Sequence, residues 1–254
     1  MKILLLSNLD WPSFQFLDNL LPKLAEHDCQ VMLTRRVGPP GPVPQALVRL
    51  ALRDQLNLRA ALGLISDEAT NLVESAMTEA MAERYGCSVI LVDNLNQGSG
   101  KKIAEIFNPE LIVSVRFGSI LRPPIIGLPR FGVINLHSGL LPEYRGIMAT
   151  FWAMIRKEAN YGFTVHQIID QGIDTGPILA RRSYPLDLRL DYSTLLANLY
   201  RLALPVLVGA IEQIQRGGFL EMRESKVLGE YFGLPNQAAI ERFETMGYRW
   251  WPEA

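Results

Sequence analysis

Cysteine is scarce: the chain of 254 residues has only Cys29 and Cys87. Two thiols cannot build a disulfide scaffold, and no CxxC pair offers a zinc site, so a reducing compartment is the default expectation. An excess of one charge sign is also missing. Lys and Arg number 25 against 26 for Asp and Glu, a net charge of -1, so no global field draws the chain to nucleic acid. Long apolar runs are absent too. The opening run covers only Ile3 to Leu6 before Asp10-Trp11-Pro12, short of the roughly 7–15 apolar residues of a secretory core. Leu202 to Ile211 carries Pro205 and falls below the roughly 18 apolar residues of a membrane span. The chain reads as soluble and cytoplasmic, without a membrane partner. Hydrophobic residues are not scarce. At 48% against 20% charged, they supply a substantial core and exclude wholesale disorder.

Several signatures are missing as well. No HExxH or other dense ligand spacing suggests a metal site, and no GxSxG nucleophile elbow occurs. Gly98-Ser99-Gly100-Lys101-Lys102 has the look of a phosphate loop, but Leu95 and Lys102 stand where a P-loop needs Gly and Ser or Thr. The loop Ser7-Asn8-Leu9-Asp10-Trp11-Pro12 has no glycine, which removes the dinucleotide fingerprint.

The apolar patterning gives a β-α-β opening: a strand over 2–7, a helix over 13–26 with Ser13 as its cap, and a strand over 29–34. Val37 to Pro44 holds four prolines and two glycines and reads as a loop. Helices follow over 45–61 and 67–85. The second has Asp67 and Glu68 in its first turn and Gly86 past its end. A strand over 88–92, a helix over 100–107 and strands over 111–115 and 131–136 come next. A helix over 147–157, strands over 163–169 and 178–184, and a long helix from about 194 to 215 complete the pattern. A mixed tail ends in Trp250-Trp251, which should pin it to the core or a partner. Strands alternating with helices predict a doubly wound, mostly parallel Rossmann-like α/β sheet. The expected domains are a catalytic one over 1–188 and a short helical C-terminal extension over 189–254.

Chemistry concentrates in two stretches. In Ile134-Asn135-Leu136-His137-Ser138-Gly139-Leu140-Leu141-Pro142-Glu143-Tyr144-Arg145-Gly146, an apolar strand ends in Asn-Leu-His. Asn135 and His137 are two residues apart and face the same side, at the strand end where open α/β sheets place ligands. The second, Phe163 to Ile178, runs a strand into a glycine-punctuated acidic turn bearing Asp170 and Asp174. Taken singly, each of these residues has a plain structural reading. Together they suit acyl transfer to an amine. Asn135 and a protonated His137 would face an oxyanion, and Asp174 would hold the imidazole or accept the amine's proton. No covalent nucleophile stands out, so direct transfer is expected.

Ile134 to Gly146 resembles the signature of the 10-formyltetrahydrofolate-dependent formyltransferases, and Ile173-Asp174-Thr175-Gly176-Pro177-Ile178-Leu179 resembles their second signature. The family includes glycinamide ribonucleotide, methionyl-tRNA and sugar N-formyltransferases, and the resemblance covers residues 110–185. It implies Asn135, His137 and Asp174 as catalytic residues, with Asp174 orienting His137. It implies 10-formyltetrahydrofolate as co-substrate and no metal. Folate would be held by Phe117, Gly118, Ile120 and Leu121 and by Leu140, Leu141, Pro142 and Asp170. His166 falls on a position that is often His in the family, in a supporting role.

Departures narrow the expected acceptor. The glycinamide ribonucleotide enzyme binds phosphate with a glycine-rich strand-1 loop, which is lacking here. Only about 65 residues follow position 190, fewer than the tRNA-gripping domain of the methionyl-tRNA enzyme, and the near-zero charge disfavours nucleic acid. The expected acceptor is therefore a small amine, first an amino-sugar nucleotide. The alternatives are an N-hydroxyornithine-like amine, glycinamide ribonucleotide, hydrolysis, or a non-catalytic folate- or nucleotide-binding protein. Residues 36–86 exceed a minimal crossover and are expected either to cover the acceptor or to serve packing or a homodimer contact.

Overall fold

The computed structural model describes residues 1–35, 37–38, 41–64, 70–217 and 228–252. The expected helix start at Asp67 and Glu68 lies outside the described residues. Two compact units form: Met1–Val37 with Val48–Gly132, and Gly38–Leu47 with the chain from Val133 on.

The first unit carries β1 (Lys2–Asn8), α1 (Trp11–Leu20), β2 (Asp28–Thr34), most of α2 (Gln45–Ala61), α3 (Thr70–Tyr85), β3 (Ser88–Leu91), α4 (Gly98–Phe107), β4 (Leu111–Val115) and the short α5 (Pro123–Ile126). Its strands run in the order β3-β2-β1-β4, all parallel. Ile3 to Leu6 and Leu111 to Val113 are buried. Such continuous apolar runs are what strands covered on both faces require. The helix after β1 starts earlier than expected, because Asp10, not Ser13, is its N-cap. The Asp10 carboxylate accepts the Ser13 backbone N–H at 2.9 Å, satisfying one of the orphan donors of the first turn. Within the predicted insertion, α3 and the α2 residues from Val48 on pack onto this unit. Gln55 donates to the Leu9 carbonyl at 2.6 Å, and Arg84 pairs with Asp18. Cys29 and Cys87 are free thiols, and burial pushes Cys29 up to about 12.

The second unit contains β5 (Val133–His137), β6 (Tyr144–Gly146), α6 (Ala149–Arg156), β7 (Asn160–Ile168), β8 (Ile178–Pro185), α7 (Tyr192–Gln215), β9 (Glu230–Phe232) and α8 (Gln237–Thr245). β7 pairs antiparallel with both β5 and β8. The expected boundary at residue 188 falls between β8 and α7, inside this unit. α7 packs on β7, β8 and α6. By length and composition α7 is apolar enough to cross a membrane, with mean hydropathy 1.6, and half of that stretch is buried within the fold. Its apolar residues follow helical spacing, so a count of consecutive apolar residues underestimates it. Asp191 caps it through the Thr194 N–H at 2.9 Å.

The C-terminal stretch is more ordered than a mixed tail. α8 follows an Asn236 cap. Trp250 is 6% exposed, stacks on Phe151 at 5.5 Å and meets Phe243 at a tilt at 4.5 Å, while Trp251 is half-buried. β6 and β9 form a separate two-stranded parallel ribbon, Tyr144 opposite Glu230 and Gly146 opposite Phe232.

Candidate active site

β5 and β7 bring the site together. Their antiparallel register sets Asn135 opposite His166 and His137 opposite Thr164. The period-2 geometry of a strand puts Asn135 and His137 on one face, as the sequence predicts. The turn after β7 then delivers Asp174 in a left-handed conformation, φ 54°. An L-residue rarely adopts that conformation without surroundings that hold it.

Asp174 sits between two imidazoles. Its Oδ2 lies 3.5 Å from His137 Nδ1 and its Oδ1 lies 3.3 Å from His166 Nε2. The Gly146 backbone N–H donates to Oδ2 at 2.8 Å. Burial alone would raise the carboxyl, but the neighbouring His137, the His166 contact and the Gly146 N–H outweigh it, and Asp174 is held well below the usual carboxylate range. The group is therefore ionised at neutral pH.

Carbonyl partners fix which ring nitrogens carry protons, because a carbonyl only accepts. His137 Nε2 donates to the Tyr144 carbonyl at 2.6 Å, leaving Nδ1 facing Asp174. His166 Nδ1 donates to the Gln167 carbonyl at 2.9 Å. Its Nε2 lies 3.0 Å from Asn135 Nδ2, so it accepts from the amide in the neutral ring and donates toward Asp174 when protonated. His166 is 1% exposed. It is a core residue and a member of the polar network at once, a joint role that a lone histidine in a strand does not reveal.

The loop after His137 is held at several points. Thr164 Oγ1 donates to the Gly139 carbonyl at 2.8 Å and accepts the Leu141 N–H at 3.0 Å. A Cβ on Gly139 would clash with His137 Nε2 and the Ala149 Cβ, so only glycine lets the loop pass this close to the ring. Tyr144 donates its hydroxyl to Glu158 at 2.5 Å and stacks on Phe232 at 5.0 Å.

Of the residues expected to hold folate, Leu141 is buried and Leu140 and Pro142 are half-buried in this loop. Asp170 is exposed, and its Oδ1 accepts the Gly172 N–H at 2.7 Å, the local turn bond typical of aspartate. Phe117, Gly118, Ile120 and Leu121 belong to the first unit. There Gly118 N–H donates to Thr34 Oγ1 at 2.9 Å, Ile120 is 53% exposed and Leu121 is buried. Among the described residues, no group of three or more His, Cys, Asp or Glu side chains is placed to hold a metal ion.

The first unit holds a second polar cluster that the sequence does not announce. Asp10 Oδ2 accepts from Arg116 at 2.7 Å and from Asn8 at 2.8 Å. Burial raises this carboxyl and the Arg116 charge lowers it, with a net downward shift. Asp54 of α2 is pushed up to about 7 by burial and by the Asp10 charge.

Comparison with known proteins supports the same reading. A methionyl-tRNA formyltransferase from Citrifermentans bemidjiense is 30% identical over 153 residues, 60% of this chain and 48% of the relative; the chain thus spans about half that protein's length. Two solved structures share the α/β fold. One is an N-formyltransferase from Helicobacter canadensis, TM-score 0.58, 16% identity, covering 91% of this chain and 70% of that one. The other is a glycinamide ribonucleotide transformylase from Symbiobacterium toebii, TM-score 0.59, 17% identity, covering 85% and 87%. The formyl transferase family model matches residues 92–211. That segment, which carries Asn135, His137, His166 and Asp174, belongs to the formyl transferase family.

Proposed function

We propose that the chain transfers a formyl group from 10-formyltetrahydrofolate directly to the amine of a small molecule, with an amino-sugar nucleotide as the first acceptor class. The observation that carries the reading is the ionised Asp174 shared by His137 and His166, with Asn135 on the same network. The family segment spans all four residues. The H. canadensis neighbour was crystallised with folinic acid and dTDP-3-aminofucose, which supports folate as co-substrate and a sugar nucleotide as acceptor type.

The chemistry balances simply. The acceptor nitrogen bonds to the formyl carbon, the bond from that carbon to folate N10 breaks, the amine loses one proton and N10 gains one. Asn135 Nδ2 has a second hydrogen beyond the one directed at His166, and it serves the oxyanion. His137 stands beside it, and Asp174 orients that ring and assists the proton's departure. His137 Nε2 is turned onto the Tyr144 carbonyl. Donation from that nitrogen to an oxyanion requires substrate to draw it off that acceptor, since such contacts often tighten only in the complex.

Two acceptors besides the sugar nucleotide are tested by the same experiment. The methionyl-tRNA formyltransferase relatives favour methionyl-tRNA. Glycinamide ribonucleotide is disfavoured by Asp10. That residue puts a carboxylate of the chain itself at the N-terminus of α1, where a phosphate would otherwise be favoured.

The test is mass spectrometry on a panel of amino-sugar nucleotides, N-hydroxyornithine, glycinamide ribonucleotide and methionyl-tRNA, with 10-formyltetrahydrofolate and with wild type or His137→Ala. A formylated amino-sugar nucleotide with wild type, lost in the variant, is the expected result. Formylation of methionyl-tRNA alone would replace the acceptor. Formate release without any formylated amine would replace transfer by hydrolysis, and failure to bind folate would remove the reading altogether.

A further inference from the structure

We infer that the C-terminal strand β9 is a working part of the site and that Arg145 is the positioning residue that couples it to His137 and Asp174. The inference rests on the formyl-transfer reading for its catalytic meaning, although the positioning itself is measurable without an acceptor.

The three residues of β6 each have a distinct task. Tyr144 presents the carbonyl that accepts the hydrogen bond from His137 Nε2–H. Gly146 presents the N–H that anchors Asp174 Oδ2. Between them, Arg145 sends its guanidinium to backbone carbonyls. Nε and one terminal nitrogen reach Gly229 O at 3.1 and 2.9 Å, and the other terminal nitrogen reaches Ile173 O at 3.4 Å. Ile173 directly precedes Asp174. One side chain therefore ties the strand carrying both backbone partners of the pair to the turn carrying the carboxylate and to the residue before β9. Only a planar fork with several fixed donors can bridge these carbonyls at once; an ammonium is a single point charge.

β9 is itself held in place on this side. Arg156 reaches both Glu230 carboxylate oxygens at 2.8 Å and lies 4.5 Å from the Phe232 ring. Ile147 N–H donates to Phe232 O at 2.9 Å, and Trp152 Nε1 donates to Gly233 O at 3.2 Å. At the other end, a Cβ on Gly229 would fall on the Pro142 carbonyl oxygen. The strand thus approaches the 138–146 loop more closely than any residue but glycine allows. A strand docked only to complete the fold does not need an arginine aimed past it at the residue before Asp174.

The chain has three histidines, His27, His137 and His166. With ¹³C-labelled histidine, the full chain gives three imidazole Cε1–H signals, and His27, in the first unit, is the internal control. Arg145→Ala and Arg145→Lys are each expected to move the His137 and His166 signals and leave His27 in place. Gly229→Ala, which acts from the β9 side, is expected to move the same two. In transfer assays, kcat should fall about 10- to 100-fold with KM for 10-formyltetrahydrofolate within about twofold. Guanidinium chloride at tens of millimolar should restore part of the Arg145→Ala rate, and equal sodium chloride should not. Unmoved His137 and His166 signals in Arg145→Lys, which keeps the charge and most of the side chain, would overturn the inference. So would a loss confined to KM. A wild type that formylates no amine would remove the transfer reading while the histidine signals still decide whether Arg145 and β9 set the geometry.

Discussion

Each unit of this chain holds a largely buried carboxylate next to cationic or potentially cationic side chains, Asp10 in the first and Asp174 in the second, and the two are bonded differently. Asp10 is saturated: Arg116, Asn8 and the Ser13 N–H all lie within 2.9 Å of its oxygens. Asp174 has one short bond, to Gly146 N–H at 2.8 Å, and two longer contacts, 3.3 and 3.5 Å, to imidazoles. Both are depressed below the usual carboxylate range. A low pKa alone therefore does not separate a scaffold aspartate from a chemical one. What separates them is how much of the bonding capacity is already used by neighbours that cannot exchange protons. A guanidinium only donates, whereas an imidazole nitrogen can donate or accept.

The largest expected effect follows from that contrast. Asp174→Asn should lower the formyl-transfer rate about 10²- to 10⁴-fold, with a smaller loss of stability than Asp10→Asn. Asp10→Asn should do the reverse. It keeps the α1 cap but removes the carboxylate that Arg116 reaches at 2.7 Å, at a cost of about 3–5 kcal/mol in stability. Denaturant titration and steady-state rates on both variants check the pair. If Asp10→Asn lost rate without stability, or Asp174→Asn the converse, the distinction between the two carboxylates would collapse. The acid side sharpens it further. Asp174 has a depressed folded pKa, so its contribution to stability is present above the unfolded value of about 3.9 and is lost only as pH falls through the lower folded value.

Asp54 gives a smaller effect of opposite sign. Its folded pKa of about 7 exceeds the unfolded value of about 3.9. Between these values the folded state binds more protons, so stability falls as pH rises through the window and stays reduced above it. Asp54→Asn should flatten the melting temperature from pH 4 to 8 and exceed wild type at pH 8 by about 2–4 kcal/mol. A wild-type profile with no decline across that range would mean that α2 does not press Asp54 against Asp10.

The two regions also differ in how far the sequence reveals them. Asn135 and His137 are legible because a two-residue spacing on an apolar strand dictates a shared face, and Asp174 because glycines mark its turn. The Asp10–Arg116 pair is not, since its members are 106 residues apart and Ser13 is the more familiar cap. β6 and β9 are three residues each, too short for any periodicity, so the ribbon that presents Tyr144 and Gly146 to the site has no pattern to read. His166 is ambiguous for a different reason. Burial and hydrogen bonding are both compatible with a single histidine in a strand, and only the register against Asn135 shows that it does both. The β-α-β opening and the long helix α7 are legible, because periodic apolar faces act within a few residues of where they are written.

Thr164 tests the rule inside the second unit itself. It lies opposite His137, is fully buried, and has its single hydroxyl donor and one acceptor site filled by Gly139 O and Leu141 N–H. By position it belongs with Asp174; by saturation it belongs with Asp10. If saturation decides, Thr164→Val should cost about 1–2 kcal/mol, the penalty for leaving buried backbone groups unpaired, with kcat within about threefold of wild type. Thr164→Ser, which keeps the hydroxyl, should recover most of the stability. A valine variant that keeps its melting temperature and loses its rate would show that closeness to the imidazole, and not unfilled bonding capacity, makes a residue chemical here. Asp174 would then owe its role to location alone.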